Sequence, residues 1–242
     1  MANFNSEREG GLFATFSVSK HKAEWLSELT GTFLLVLIGP SSVVITHLVA
    51  LPSTEALAIV AFVFGATVAT VILLLGRISG AHINPAITTA STFAGRLRLE
   101  SFLPYIMFQA LGCLLAGMCL RAIFSPFGSP AHLGSTLLAA SVTPIEGVAI
   151  ELVGTFVLAL SALTASACIK TPVGQAALIG STLFLLVILI GPLTGASFNP
   201  ARSLGPSVFS GYFENQGVYW VGPLVGGACA GLIFRLWKPI SP

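Results

Sequence analysis

The chain has 242 residues, 55% of them hydrophobic and 8% charged, with a formal net charge of +2 and a mean hydropathy of +0.92. A soluble domain carries about 25% charged residues, so this is the composition of an integral membrane protein, and its singly scattered basic residues exclude a nucleic-acid surface. All nine acidic residues are glutamates, which excludes chemistry built on an aspartate nucleophile, dyad or metal ligand.

Residues 1–23 are polar and include Arg8, Lys20 and Lys22, without the apolar core or small-residue cleavage site of a signal peptide. They read as a cytoplasmic tail. From residue 24 onward a single membrane domain is expected to run to residue 242. A bilayer core about 30 Å thick needs about 20 apolar residues per helix, and six stretches qualify: roughly 24–48, 54–75, 101–124, 146–168, 174–193 and 216–237. Six spans put both termini on one side. With the N-terminus inside, nine of the eleven Lys and Arg residues fall on the cytoplasmic side, and only Arg121 and Arg202 fall outside.

Two further apolar pieces, about 79–95 and 194–210, each contain Asn-Pro-Ala and are too short to cross. A helix from Pro85 to about Ala94 would be roughly 14 Å long, half the membrane, so both read as re-entrant half-helices. The 25 glycines and 14 prolines suit helices that pack closely or break inside the bilayer.

The halves of the chain echo each other. ELTGTFLLVL from Glu28 matches ELVGTFVLAL from Glu151 at an offset of 123, and SGAHINPA from Ser79 matches TGASFNPA from Thr194 at an offset of 115. Each repeat, about 24–124 and 146–238, then holds three spans and one half-helix. Three is odd, so the second repeat is inverted relative to the first. One half-helix enters from the cytoplasm and the other from outside, and their Asn-Pro ends meet at the midplane.

Asn is a strong N-cap, and Pro at the first helical position lacks only an N–H that would be unpaired there. Taken alone, Asn84-Pro85-Ala86 and Asn199-Pro200-Ala201 are helix starts. At mid-bilayer, however, exposed backbone is tolerated only in buried protein or along a watery cavity, so two facing starts imply a pore. If each Asn oxygen caps its own helix, both amide N–H₂ groups remain to donate to a permeant. The half-helix dipoles add about half a positive charge each. The lead-in segments, Gly80-Ala81-His82-Ile83 and Gly195-Ala196-Ser197-Phe198, are expected to line the path with a ladder of carbonyls from each side, or simply to pack tightly.

Glu28 and Glu151 lie at matching places in spans one and four, where a carboxylate costs several kcal/mol unless satisfied. They read either as acceptors that hold the two non-helical loops or as the proton carriers of a transporter. His82 reads as a member of the same network. Arg202 falls in the first turn of the outer half-helix, where the dipole opposes a cation, and its counterpart in the first repeat is Ile87. It reads as an outward filter group, with snorkelling to the interface as the alternative. Cys113, Cys119, Cys168 and Cys229 sit in apolar runs without metal-ligand spacing and read as packing residues. The connections at about 121–145 and 210–217 carry no distinguishing pattern, and Gly222/Gly226 and Gly227/Gly231 fit close helix crossings. No catalytic constellation, metal cluster or phosphate loop is present in the sequence, so neither enzymatic activity nor a cofactor is expected.

Paired Asn-Pro-Ala half-helices in an inverted repeat, with SGAHINPA and NPARSLGPS, resemble the aquaporin or major intrinsic protein family over residues 24–238. The resemblance implies an all-α fold, a right-handed bundle of six transmembrane helices plus two re-entrant half-helices, with one pore per subunit and a homotetramer; the short termini and the lack of targeting signals point to the cytoplasmic cell membrane. It also implies an outer selectivity filter at Phe64, Val187, Ala196 and Arg202. Strictly water-selective members have His where this chain has Val187, and glycerol facilitators resemble Trp-Gly-Phe-Arg at the four places. Ser203, Ser207 and Tyr219-Trp220 lean towards the water-channel branch, and Ala196 stands where mercury-sensitive relatives have Cys. The expectation is a water channel with a rather apolar constriction that also passes small neutral solutes. A glycerol-type facilitator and a coupled secondary transporter are the alternatives.

Overall fold

The computed structural model describes the backbone of residues 9–237 and the side chains of residues 21–237. Residues 1–8 of the expected tail, and Lys238, lie outside that range. Eight α-helices follow in order: α1 (Glu9–Leu48), α2 (Ser53–Ser79), α3 (Pro85–Phe93), α4 (Leu99–Phe124), α5 (Pro144–Cys168), α6 (Pro172–Thr194), α7 (Pro200–Ser210) and α8 (Val218–Trp237). Six are long and apolar enough to cross a membrane, the first over His21–Leu48. Large side chains such as Phe62, Leu74, Leu189 and Leu236 are turned outward, as a lipid solvent permits.

Several spans run past the ends read from hydropathy because the helix is continued by polar or conformational signals. Pro144 and Pro172 occupy first-turn positions behind Thr143 and Thr171, whose hydroxyls accept from Glu146 N and Gly174 N. At the other end, α2 and α6 both stop at a left-handed glycine, Gly80 at φ +88° and Gly195 at φ +76°.

The helices pack as two copies of one plan. α1 lies against α2 and α4, and in the same way α5 lies against α6 and α8, while α2 and α6 meet each other. The half-helices are exchanged: α3 packs mainly on α8, and α7 on α4. Small residues make this exchange possible. An added Cβ at Gly227 or Gly231 would run into the carbonyls of Ala86 or Ala90 on α3, and at Gly117 into that of Gly205 on α7. Gly222 and Gly226 press on Val148 and Leu152 of α5. The two glycine pairs of α8 therefore serve two contacts within one subunit, through which backbones approach closely.

Candidate functional site

The loops leading into α3 and α7 are held in conformations that most residues avoid. Ala81, Ile83, Ala196 and Phe198 all have left-handed φ, between +47° and +53°, at a cost of order 1–3 kcal/mol each. Two fully buried carboxylates oppose that strain. Glu28 Oε1 accepts from Ser79 Oγ (2.6 Å) and His82 N (2.9 Å), and Oε2 accepts from Ile83 N (2.7 Å) and Gln109 Nε2 (2.7 Å). Glu151 Oε1 accepts from Thr194 Oγ1 (2.7 Å) and Ser197 N (3.0 Å), and Oε2 from Phe198 N (2.7 Å). Bonds to a charged acceptor contribute about 1.5–3 kcal/mol each, enough to offset the strain. Neither carboxylate is among the residues lining the cavities described below.

The glycine one turn after each glutamate completes the support. A Cβ at Gly31 would come within 2.5 Å of the Ile83 side chain, and one at Gly154 would overlap the Phe198 ring. Tyr105 and Tyr219 donate to the Ser79 and Thr194 carbonyls at 3.0 and 2.9 Å. His82 sits beside this network on the cavity wall, with Nδ1 3.3 Å from Thr88 Oγ1 and its ring edge-on to Tyr105.

The two Asn-Pro-Ala steps meet at the centre. Asn84 Oδ1 accepts from Ala86 N (2.8 Å), and Asn199 Oδ1 from Ala201 N (3.0 Å) and Arg202 N (3.4 Å), so each oxygen caps its own helix. The amide groups are not wholly unengaged, which corrects the sequence reading. Asn84 Nδ2 donates to Phe198 O (2.8 Å) and Asn199 Nδ2 to Ile83 O (2.9 Å). One N–H of each amide is thus committed across the repeat boundary, and one remains for the cavity. The same bonds engage the Ile83 and Phe198 carbonyls, which the sequence reading had given to the lining ladders.

A cavity of about 710 Å³ runs from His21, Arg96 and Arg98 past Gly80, Ala81, His82 and both asparagines to Ala196, Ser197 and Arg202. A second, of about 330 Å³, opens from His47 and Leu51 over Val187 and Gly195. Phe64, Ala196 and Arg202 line both. The four residues assigned to the filter therefore sit together where the two cavities adjoin, three of them on the shared wall and Val187 on the outer side. All four are buried.

Arg202 is 3% exposed, so it does not snorkel. Its guanidinium carbon stands 4.9 Å from the centre of the Phe64 ring, and Nη1 donates to Gly134 O at 2.7 Å. Gly39 leaves the space that the Phe64 ring occupies.

The partner of Arg202 was invisible in the sequence. The connection at about 121–145, read as featureless, folds into a strap in which Ala131, His132, Leu133 and Gly134 are all left-handed. Gly134 is required there twice over, by φ +74° and because a Cβ would lie 2.7 Å from Pro40 O. Beyond it, Thr136 Oγ1 donates to Ser203 Oγ at 2.8 Å, and Ser135 Oγ lies 3.5 Å from Ser207 Oγ. Histidine in a loop and a Gly-Ser-Thr run are too common to have flagged this strap. Gln109, which joins Glu28 to Thr88, was passed over because a lone Gln in an apolar run gives no spacing to read.

The chain matches the model of the major intrinsic protein family over residues 15–234. Its relatives include Aquaporin NIP1-1 of Zea mays, 34% identical over 217 residues, or 87% of this chain and 73% of that protein. Probable aquaporin TIP2-2 of Arabidopsis thaliana is 36% identical over 239 residues, 93% and 90% of the two chains. The lens fiber major intrinsic protein of Gallus gallus is 36% identical over 213 residues, 87% and 79%. The fold is that of the aquaglyceroporin from Plasmodium falciparum, with a TM-score of 0.77 at 22% identity, covering 90% of this chain and 95% of that one. With inverted repeats, exchanged half-helices and paired Asn-Pro-Ala caps on one cavity wall, the chain belongs to the major intrinsic protein family.

Proposed function

We propose that the protein is a passive channel for water, with small neutral solutes passing more slowly and ions and protons excluded. The observation that carries this reading is the pair of capped helix N-termini facing one continuous cavity. Each asparagine keeps one N–H for a permeant oxygen, so a water at the centre is held as an acceptor from two sides and does not accept a proton from its neighbour in the file. The two N-terminal dipoles, about half a charge each, repel cations at the same point. Arg202 adds a full positive charge at the outer constriction.

The solute range follows from the walls of that constriction. Phe64, Val187 and Ala196 offer no polar side chain, so Arg202 is its one side-chain donor, and nothing at Val187 penalises a solute's CH groups. This accounts for the leak of small neutral solutes, while Ser203, Ser207 and Tyr219-Trp220 favour the water-channel branch over a glycerol facilitator. Coupled transport is disfavoured by the carboxylates, whose oxygens are all engaged by loop and side-chain donors. Residues 24–242 form the channel unit in this reading, with both termini cytoplasmic, four subunits with a pore each, and the cell membrane as location. The chain is not assigned an enzymatic step.

Stopped-flow light scattering on proteoliposomes tests the proposal. Shrinkage in a sucrose gradient should far exceed that of protein-free vesicles, while glycerol uptake stays well below water flux. Glycerol flux approaching water flux would replace this reading with the facilitator, and gradient-coupled, saturable uptake without osmotic flux would replace it with the transporter.

A further inference from the structure

The guanidinium of Arg202 has five N–H donors, yet among the described residues it makes a single hydrogen bond, to Gly134 O at 2.7 Å, and its buried Nε has no partner there. Its position at the constriction therefore depends on where the Gly134 carbonyl stands. That carbonyl belongs to a turn of four successive left-handed residues, a geometry that L-residues leave readily, so the strap must be held from outside itself. Leu133, buried among Val44, Leu120 and Phe124, anchors one side.

The other side is held by a directed chain of hydroxyls. Ser197 Oγ donates to Asn199 O at 2.9 Å, so at the 2.6 Å contact between Ser197 and Ser203 the donor is Ser203. Ser203 Oγ in turn accepts from Thr136 Oγ1 at 2.8 Å. Thr136, Ser203 and Ser197 are all buried, and each hydroxyl donates once in the same direction, towards the carbonyl of the pore asparagine. In the first repeat Thr88 and His82 occupy the matching places, their side chains 3.3 Å apart.

We propose that Thr136 and Ser203 are positioning residues for solute selection: their hydroxyl pair latches the strap onto α7, so that Gly134 O keeps the Arg202 guanidinium over Phe64 and the constriction narrow. This rests on the channel reading above and deepens it, because it places part of the selectivity in residues that do not touch the solute. When the latch is broken, Arg202 swings with the strap, and solutes larger than water gain more than water does.

The test compares Thr136→Val, which keeps the shape and removes the hydroxyl, with Thr136→Ser, which keeps the hydroxyl, and with Ser203→Ala and the Thr136→Val/Ser203→Ala double variant. In proteoliposomes the ratio of glycerol to water permeability should rise about fivefold in Thr136→Val and in Ser203→Ala, the factor set by losing one net hydrogen bond. Thr136→Ser should match the unmodified protein, and the double variant should exceed neither single. An unchanged ratio in Thr136→Val overturns the proposal, as does an equal fall of both fluxes that Thr136→Ser shares. Methylglyoxal labelling of Arg202, followed by mass spectrometry on the same vesicles, decides the latch without any flux. Faster labelling in Thr136→Val supports it and an unchanged rate overturns it, even if water flux never exceeds that of protein-free vesicles and the channel reading itself falls.

Discussion

Each pore asparagine is positioned through the other repeat's glutamate, and a double-mutant cycle on Glu151 and Asn84 measures this. Glu151 holds the N–H of Phe198 at 2.7 Å, and Asn84 holds the carbonyl of the same residue at 2.8 Å. In Glu151→Gln the new amide keeps one acceptor oxygen and turns an N–H₂ towards one of the loop donors. At the Oε2 position that donor is Phe198 N, and losing a bond to a charged acceptor costs about 1.5–3 kcal/mol, partly offset because a neutral amide is easier to bury. Asn84→Ala removes a helix cap, about 1 kcal/mol, and the bond to Phe198 O, about another 1 kcal/mol. If both act through Phe198, the double variant should be less destabilised than the sum of the singles by on the order of 1 kcal/mol. Unfolding of the purified protein by SDS titration from mixed micelles, followed by circular dichroism, gives the four stabilities. Additivity to within about 0.3–0.5 kcal/mol would refute the shared path through Phe198.

Three further substitutions probe separate parts of the site. Gly231→Val places branched carbons against the Ala90 carbonyl and the Phe93 side chain; overpacking of about 1–3 kcal/mol should displace α3 and abolish water flux, with loss of a monodisperse gel-filtration peak as the check. Arg202→Leu leaves the buried Gly134 carbonyl unpaired, a loss of about 1–3 kcal/mol readable in the same SDS titration, and should raise glycerol flux relative to water. The native constriction offers mercurials no thiol at Ala196, so water flux should survive treatment there, whereas Ala196→Cys should make it mercury-sensitive and thiol-reversible.

What could be read from the sequence follows a physical division. The six spans needed only hydrophobic length, and the half-helices were visible because Asn-Pro-Ala fixes a helix start while the apolar run after it is too short. Glu28 and Glu151 stood out because an isolated carboxylate in an apolar run demands a partner. Their donors were foreseeable only as loop N–H groups in general. The second duty of each asparagine was not readable, because it bonds to a carbonyl more than a hundred residues away, and backbone carbonyls carry no sequence signature. The strap was missed for the same reason: four left-handed residues, three of them not glycine, are imposed by Leu133 packing and by Pro40 contact against local preference.

The exchange of half-helices explains why the fold needs both repeats at once. In the first repeat alone, α3 would lose the glycine face of α8, and its Asn84 amide would have no Phe198 carbonyl to hold. Ile83 would keep its N–H on Glu28 but lose the Asn199 amide from its oxygen. The left-handed lead-in loop would then be strained on one side and unsupported on the other, at a depth where water cannot replace the missing partners. The pore centre is therefore a joint product: each loop is fixed by its own repeat's glutamate and each asparagine by the opposite loop. The outer strap breaks this symmetry by adding a hold on Arg202 that the first repeat, with Ile87 in the matching place, has no cation to use.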